Sequence, residues 1–408
     1  MTKPRTWPPT WIAVPETRAL IAALDAAGIA ARFVGGAVRD SLLGRPSRAI
    51  DDIDMATPAR PEAVLAALGA ARIRAVPTGL AHGTVTAVFP AAKPPRRFEI
   101  TTLRRDVETD GRHAVVAFDA DWAGDAARRD FTINAIYLLP DGAIFDPVGG
   151  RADLAARRVR FVGDADRRLR EDVLRLLRYY RFEARFGRGP GDAVARAACR
   201  AAVPKLATLS AERVAHELLG LIAAPRPARA LRLMRDDGVL AAVLPDADRI
   251  DRLVRLVRMK VTDPLLRLAA LVTVDAAAAQ LLGERLRLAR AERDRLVALA
   301  PPVALDPAAD DTAQRCALYR LGAARYRDAA LLIAAEGQIA PPRLARLLDL
   351  AARWVPPVFP INGADVAALG VSPGPEVGRL LAAVRRWWEK GDFTADRTEC
   401  LARLRELV

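Results

Sequence analysis

VGGAVRDSLLGRPSRAIDDIDMAT, residues 34–57, sets a double-glycine turn just ahead of two carboxylates, Asp52 and Asp54. Asp52-Ile53-Asp54 is flanked by Ile50, Met55 and Ala56, so it reads as a short strand. A period of two sends both carboxylates to one face and Ile53 to the core. Two carboxylates on one face can share hard divalent cations, which take oxygen ligands, keep several waters and bind substrate phosphates. A pair of such ions activates one oxygen and stabilises the leaving one, the requirement of phosphoryl transfer. Upstream, Gly35-Gly36 follows the strand-like Ala31–Val34 and opens a helix-like run from Ala37 to Leu43. Backbone N–H groups at such a helix start can approach a phosphate with no Cβ in the way, and Arg39 could clamp a triphosphate. A plain turn with Arg39 and Asp40 paired to each other fits the same residues.

Further along the chain stand RRDFTINA (Arg128 to Ala135), FDPVGGRADL (Phe145 to Leu154) and LREDVLRLLRYYRFEARFG (Leu169 to Gly187). Together with GGAVRD, DID, HGTVTAV (His82 to Val88), FEITTLRRD (Phe98 to Asp106) and VETDGRH, they occur in the order and spacing of class II CCA-adding enzymes and bacterial poly(A) polymerases. The resemblance covers about residues 31 to 225 and resumes at FPINGADVAALGVSPGPEVG (Phe359 to Gly378). It implies an α+β protein: a polymerase β-like, mixed-sheet nucleotidyltransferase head followed by an all-α neck, body and tail. It also implies Asp52 and Asp54 as the catalytic, magnesium-holding carboxylates. Gly35, Gly36, Arg39, Arg128, Arg129, Asp130, Asn134, Asp172, Arg175, Arg178 and Arg181 are implied to bind nucleotide.

Within EDVLRLLR, a continuous helix would make Asp172 and Arg175 neighbours at i and i+3, a carboxylate acceptor beside a guanidinium donor. Adenine and cytosine both present an exocyclic amine beside a ring-nitrogen acceptor, whereas guanine and uracil present the reverse. The pair would therefore take ATP or CTP and reject GTP and UTP, which looks like the amino-acid template of the family. An amphipathic helix with an acidic N-terminus and an i,i+3 salt bridge is the plainer reading. Arg178 and Arg181 continue the spacing, either on the nucleotide or on a solvated face. Glu99, in the apolar strand-like Phe98–Thr101, is a candidate third catalytic carboxylate, because a buried Glu needs a partner or a metal. A surface Glu bonded to Arg97 or Arg104 is the alternative. Glu212, Arg213 and Glu217 resemble a segment that stiffens the turn beside the template. His82 reads as a loop residue, His113 lies in a polar segment, and no HD pair occurs, so the phosphohydrolase domain of some relatives is not expected. Residues Arg104 to Asp121 read as a mobile loop; its presence, by resemblance, makes A addition possible.

Lys and Arg total 63 against 49 Asp and Glu, a net charge of +14, so a polyanion such as RNA is the expected partner; the resemblance implies the 3′ end of tRNA, with ATP and CTP as substrates. Lysine occurs only at positions 3, 93, 205, 260 and 390, so arginine carries almost all of this charge. Aromatics make up 5%, too few for an obvious stacking surface. Cys199, Cys316 and Cys400 lack metal-ligand spacing and fit a reducing cytoplasm. No apolar run is long enough to span a membrane. A chain of 408 residues should form several domains. Pattern changes divide the chain into a lead and helix at 1–30, a β-rich region at 31–150 and helical groups at 151–225, 226–300 and 301–408; the resemblance implies a catalytic head at 31–150, a nucleotide-selecting neck at 151–225, a body at 226–300 and a tRNA-binding tail at 301–408. The expected activity is CCA addition. A poly(A) polymerase or an A-adding specialist is the nearest alternative, although ATPARPEAV after the DxD strand lacks a basic polymerase-type segment. A non-catalytic RNA-binding clamp would have no need of the whole set of site residues.

Overall fold

The computed structural model describes residues 7–44, 52–80, 83–109, 114–118, 120–300 and 305–408. His82, His113 and the Asp110-Gly111 pair lie outside them. The chain forms two compact units, Met1–Pro245 and Asp246–Val408.

The first unit opens with α1 (Pro15–Ala26), started by a proline at its first position and ended before Gly28, whose φ of +69° no longer continues a helix. Seven strands then make one mixed sheet: β1 (Arg32–Val34), β2 (Asp52–Thr57), β3 (Arg74–Gly79), β4 (Thr84–Phe89), β5 (Arg96–Thr102), β8 (Tyr137–Leu138) and β9 (Ile144–Phe145), in the order β3-β4-β5-β2-β1-β8-β9. Only β2 and β5 run parallel; the other neighbours are antiparallel. Helix α2 (Gly36–Leu42) follows β1, and α3 (Pro61–Ala70) packs with α1 and against β3 and β4. Phe33, Ile53, Met55, Val85, Phe98 and Ile100 fill the covered face of the sheet, so every second residue of these strands is free to face away from the core.

Residues expected to form a mobile loop instead form a two-stranded hairpin, β6 (Arg104–Thr109) with β7 (Ala114–Phe118). Helix α4 (Trp122–Arg128), capped by Asp121, packs against β6. The apolar, β-branched run Ala114–Phe118 is the strand signal that the surrounding charges obscured.

Beyond β9 the first unit is helical: α5 (Gly150–Ala156), α6 (Ala165–Glu171), α7 (Leu174–Arg185), α8 (Ala193–Ala202), α9 (Ala211–Ile222), α10 (Pro227–Asp236) and α11 (Val239–Val243). A chain of rings fastens α7 to the segments that follow α4 and α5. Phe131 lies 5.1 Å from Phe161 and 4.8 Å from Phe182, and Phe161 stacks on Tyr179 at 5.8 Å. The DPVGG and RRDFT segments are pinned together as well. Both oxygens of Asp146 accept from the N–H groups of Gly150 and Arg151, at 2.7 and 2.9 Å, and buried Asp153 accepts from Thr132 Oγ1 at 2.6 Å. Gly150 is required at this junction, since a Cβ there would stand 2.0 Å from the Thr132 carbonyl oxygen. Gly150→Ala is expected to destabilise the first unit by about 1–3 kcal/mol, as overpacking against backbone does. Urea unfolding of the full chain measures this, and an unshifted midpoint would refute the packing argument.

The described residues of the second unit are helical, from Ile250–Arg258 to Arg397–Arg405. One cluster gathers Leu318, Tyr326, Ala330 and Leu347; another gathers Ile361, Val366, Leu380, Val384, Trp388, Cys400 and Leu404. The Phe359–Gly378 segment contributes Ile361 and Val366 to the latter, and Asn362 caps the helix Gly363–Ala367. The three cysteines are free, and no helix among the described residues is long and apolar enough to cross a membrane.

Candidate active site

The register of the sheet assembles the site. Val34 of β1 pairs with Asp54 of β2, and Asp54 is the parallel partner of Glu99 on β5. Ile53 and Phe98, one residue earlier on each strand, are fully buried, so Asp54 and Glu99 stand side by side on the exposed face, with their strands about 4.8 Å apart. Glu99 is thus an exposed neighbour of Asp54 and not a buried carboxylate: its apolar sequence neighbours face the opposite way. Asp52 opens β2 opposite Arg97, and its side chain lies outside the described residues. Among the described residues no group of three His, Cys, Asp or Glu side chains gathers as a metal site.

The glycine turn belongs to the same place. Gly35, at φ +79°, carries the chain from β1 into α2, and a Cβ on it would come within 2.9 Å of Asp54 Oδ2. Only glycine gives the positive φ without strain and leaves that carboxylate uncovered. Gly36 then starts α2.

Arg39, one turn into α2, is buried and held through its Nε and Nη1. Its Nε donates to Asp40 at 3.0 Å, its Nη1 donates to Asn134 Oδ1 at 2.6 Å, and its guanidinium lies 4.1 Å from the centre of the Phe186 ring. Burial pushes its pKa below the ordinary arginine value, with Asp40 opposing the shift. The pairing with Asp40 read as one option in the sequence is therefore present, and Asn134 is an added partner. From Asn134 the chain of bonds continues. Its Nδ2 donates to Asp130 Oδ1 at 3.0 Å, and Arg178 on α7 donates to Asp130 Oδ2 at 2.5 and 3.1 Å. Arg181 donates to Glu217 of α9 at 2.5 Å. Burial raises the pKa of Asp130, but Arg178, Asn134 and the Phe131 N–H outweigh it and hold the carboxyl below its usual range. Arg39, Asn134, Asp130 and Arg178 thus form one polar connection between the glycine turn and the helical neck.

Arg128 and Arg129 are held by a residue the sequence reading passed over. Buried Asp125 accepts from Arg128 at 2.8 and 2.5 Å on one oxygen, and on the other from Arg129 at 3.2 and 3.0 Å and from the Tyr137 hydroxyl at 2.6 Å. The signal was its position three and four residues before the arginine pair on one helix. Burial raises the Asp125 pKa, but Arg129, Arg128 and Tyr137 together bring it below its ordinary value.

The expected i,i+3 pair of Asp172 and Arg175 on one continuous helix does not form. Helix α6 ends at Glu171, Asp172 is extended at φ −154° and ψ 109°, and α7 starts at Leu174. The carboxylate itself makes the break. Its Oδ1 accepts from the Leu174 N–H at 3.0 Å, an Asx-type cap that competes with helix, and its Oδ2 accepts from Arg213 of α9 at 2.7 Å. Arg175 donates through Nη1 to Glu171 and to the Arg168 carbonyl. Acceptor and donor still lie within one turn of each other, each oriented by its own partner.

Residues 31–160 match the family model described as "Poly A polymerase head domain", and residues 192–250 match "Probable RNA and SrmB-binding site of polymerase A". The CCA tRNA nucleotidyltransferase 1, mitochondrial, of Danio rerio is 34% identical over 387 residues, 91% of this chain and 86% of that protein. The CCA-adding enzyme of Geobacillus stearothermophilus is 39% identical over 243 residues, 59% of this chain and 57% of that protein. Among solved structures, that of the Bacillus stearothermophilus CCA-adding enzyme in complex with CTP superposes with a TM-score of 0.81 at 30% identity, covering 98% of both chains. The head sheet, the helical remainder and this likeness over nearly the whole length agree: the chain belongs to the CCA tRNA nucleotidyltransferase family.

Proposed function

We propose that this protein adds C, C and A in turn to the 3′ end of tRNA from CTP and ATP, without a nucleic acid template and with release of pyrophosphate. The observation that carries the reading is the alignment of Asp54 with Glu99 on an exposed sheet face, directly against a glycine turn that leaves Asp54 uncovered. Enzymes of this family use a divalent metal, and we take Mg2+ as the ion. Asp52 and Asp54 would hold it, with Glu99 beside them, and the all-oxygen donor set fits such a hard cation. When bound, the metal supplies charge that activates the tRNA 3′-hydroxyl and stabilises departing pyrophosphate.

The protein's own groups bind and orient. The 3′-oxygen forms a bond to the α-phosphorus as the bond to pyrophosphate breaks on the opposite side. The backbone at Gly35 and Gly36, with Arg39, faces the triphosphate. Arg128 and Arg129, each steadied along one edge by Asp125, offer their remaining N–H groups to phosphate or ribose. Asp172 accepts from the exocyclic amine of the base and Arg175 donates to the ring nitrogen; Asp130, Asn134, Arg178 and Arg181 hold the walls in register. We assign the catalytic head to residues 31–150, the neck to 151–225, the body to 226–300 and the tRNA-binding tail to 301–408, acting in the cytoplasm.

The test is incorporation of single labelled nucleotides, resolved base by base, on tRNA ending at the discriminator base, at C or at CC, with Mg2+ and each nucleoside triphosphate separately. Addition that stops after CCA is the expected result. A long A tail would make the protein a poly(A) polymerase, and A on CC ends alone would make it an A-adding specialist.

A further inference from the structure

We infer that Arg97, helped by Arg74, grips the backbone phosphates of the RNA strand being extended and is a positioning residue for its 3′ end; this rests on the function proposed above. Strand β5 alternates buried Phe98 and Ile100 with exposed Arg97 and Glu99, so Arg97 lies on the face that carries Glu99 and Asp54. The register extends that face into two rows. One runs from Asp54 through Glu99 and Thr86 to Val76; the next runs from Asp52 through Arg97 and Val88 to Arg74. Arg74 is also exposed and sits two strands from Arg97, about 10 Å away.

Two facts separate these arginines from the other cations of the site. Arg39, Arg128, Arg129, Arg175, Arg178 and Arg181 are each bound to a carboxylate. The side chains of Arg97 and Arg74 make no hydrogen bond or ion pair with any described residue, and both stand exposed on the sheet face within reach of a mobile anion; the side chain of Asp52, the register partner of Arg97, lies outside the described residues. The second fact is their flank. Gly35 and α2 lie on the β1 side of Asp54, where the triphosphate belongs, whereas β5, β4 and β3 extend from the other side. In-line displacement puts the attacking and leaving oxygens on opposite sides of the phosphorus. The primer therefore arrives over β5, and its phosphates meet Arg97 first and Arg74 further out, in the forked geometry that arginine offers phosphate.

The experiment compares wild type with Arg97→Ala, Arg97→Lys and Arg74→Ala. Initial rates of C addition are measured with tRNA and CTP varied separately, and tRNA affinity is measured by fluorescence anisotropy without nucleotide over a range of salt. Arg97→Ala is expected to raise KM for tRNA about tenfold. KM for CTP and the thermal midpoint should stay unchanged, and the salt slope of tRNA binding should fall by about one. Arg97→Lys should recover part of the loss, and Arg74→Ala should act in the same direction more weakly. A rise in KM for CTP alone, or tRNA affinity and salt slope equal to wild type, would overturn the inference. Wild type that adds no nucleotide would count against the proposed function, while the anisotropy series would still decide the role of Arg97.

Discussion

Replacing Asp54 with alanine is expected to lower nucleotide addition by about three orders of magnitude or more, because the charge held there contributes several kcal/mol to the transition state. Its side chain is exposed, while Ile53 and Met55 on either side of it are buried, so the substitution leaves the core packing of β2 intact. The fold and tRNA affinity should survive. Asp54→Asn keeps the shape and removes the charge, so it should fall nearly as far as alanine if metal binding is what matters. Single-turnover addition of C to tRNA, with tRNA binding measured on the same preparations, separates the possibilities. Turnover near wild type would sink the assignment of Asp54, and loss of tRNA binding in parallel would point to a structural role. Glu99→Ala provides the graded comparison: its register position beside Asp54 predicts a partial loss if it serves as an auxiliary carboxylate and none if it does not.

Where sequence reading succeeded and failed follows from the range of the interactions involved. The DxD strand and the glycine turn were legible because their signals are local: a period of two, and a backbone that only glycine adopts cheaply. Of the two readings of Glu99, buried or exposed, local sequence could not choose, for the same reason turned round, and the fold exposes it. Apolar neighbours in a strand point away from the residue between them, so the run looks buried while every second side chain faces out. The break at Asp172 was hidden because Leu174, Leu176 and Leu177 keep an apolar pattern running past it, whereas its cause is one carboxylate hydrogen-bonded to Leu174 and Arg213, the second of them 41 residues away in the chain. The pairing of β6 with β7 was masked by the charges that surround its apolar run. Asp125 was passed over because an acidic residue three and four positions before arginines usually marks a solvated helix face. Only the fold shows that Tyr137 covers it.

Asp172→Ala is expected to cost about two orders of magnitude in kcat/KM for both ATP and CTP, because each loses the acceptor for its exocyclic amine. Discrimination against UTP and GTP should shrink with it. The structure makes this a test of base reading as well as of stability. A carboxylate has roughly four acceptor positions, and Asp172 spends two, on the Leu174 N–H and on Arg213, leaving the others for a base. Arg175 likewise commits Nη1 to Glu171 and the Arg168 carbonyl, which leaves its other N–H groups for a ring nitrogen. Base reading by this pair would need no ion pair to break, and the resting partners would act as supports that fix the direction of each side chain. Asp172→Asn sharpens the argument. The amide can still cap α7 through its oxygen, so the turn is kept, but it now presents a donor where the base amine should be accepted. We expect this variant to keep the fold with a slightly lower thermal midpoint, since its Nδ2 replaces the oxygen that accepts from Arg213, to lose ATP and CTP addition and to gain relative incorporation of UTP and GTP, whose carbonyl oxygens can accept from that donor. Single-turnover incorporation of each of the four nucleotides on tRNA ending in C and in CC gives the ratios. Unchanged ratios in the asparagine variant would show that Asp172 caps a helix and reads no base.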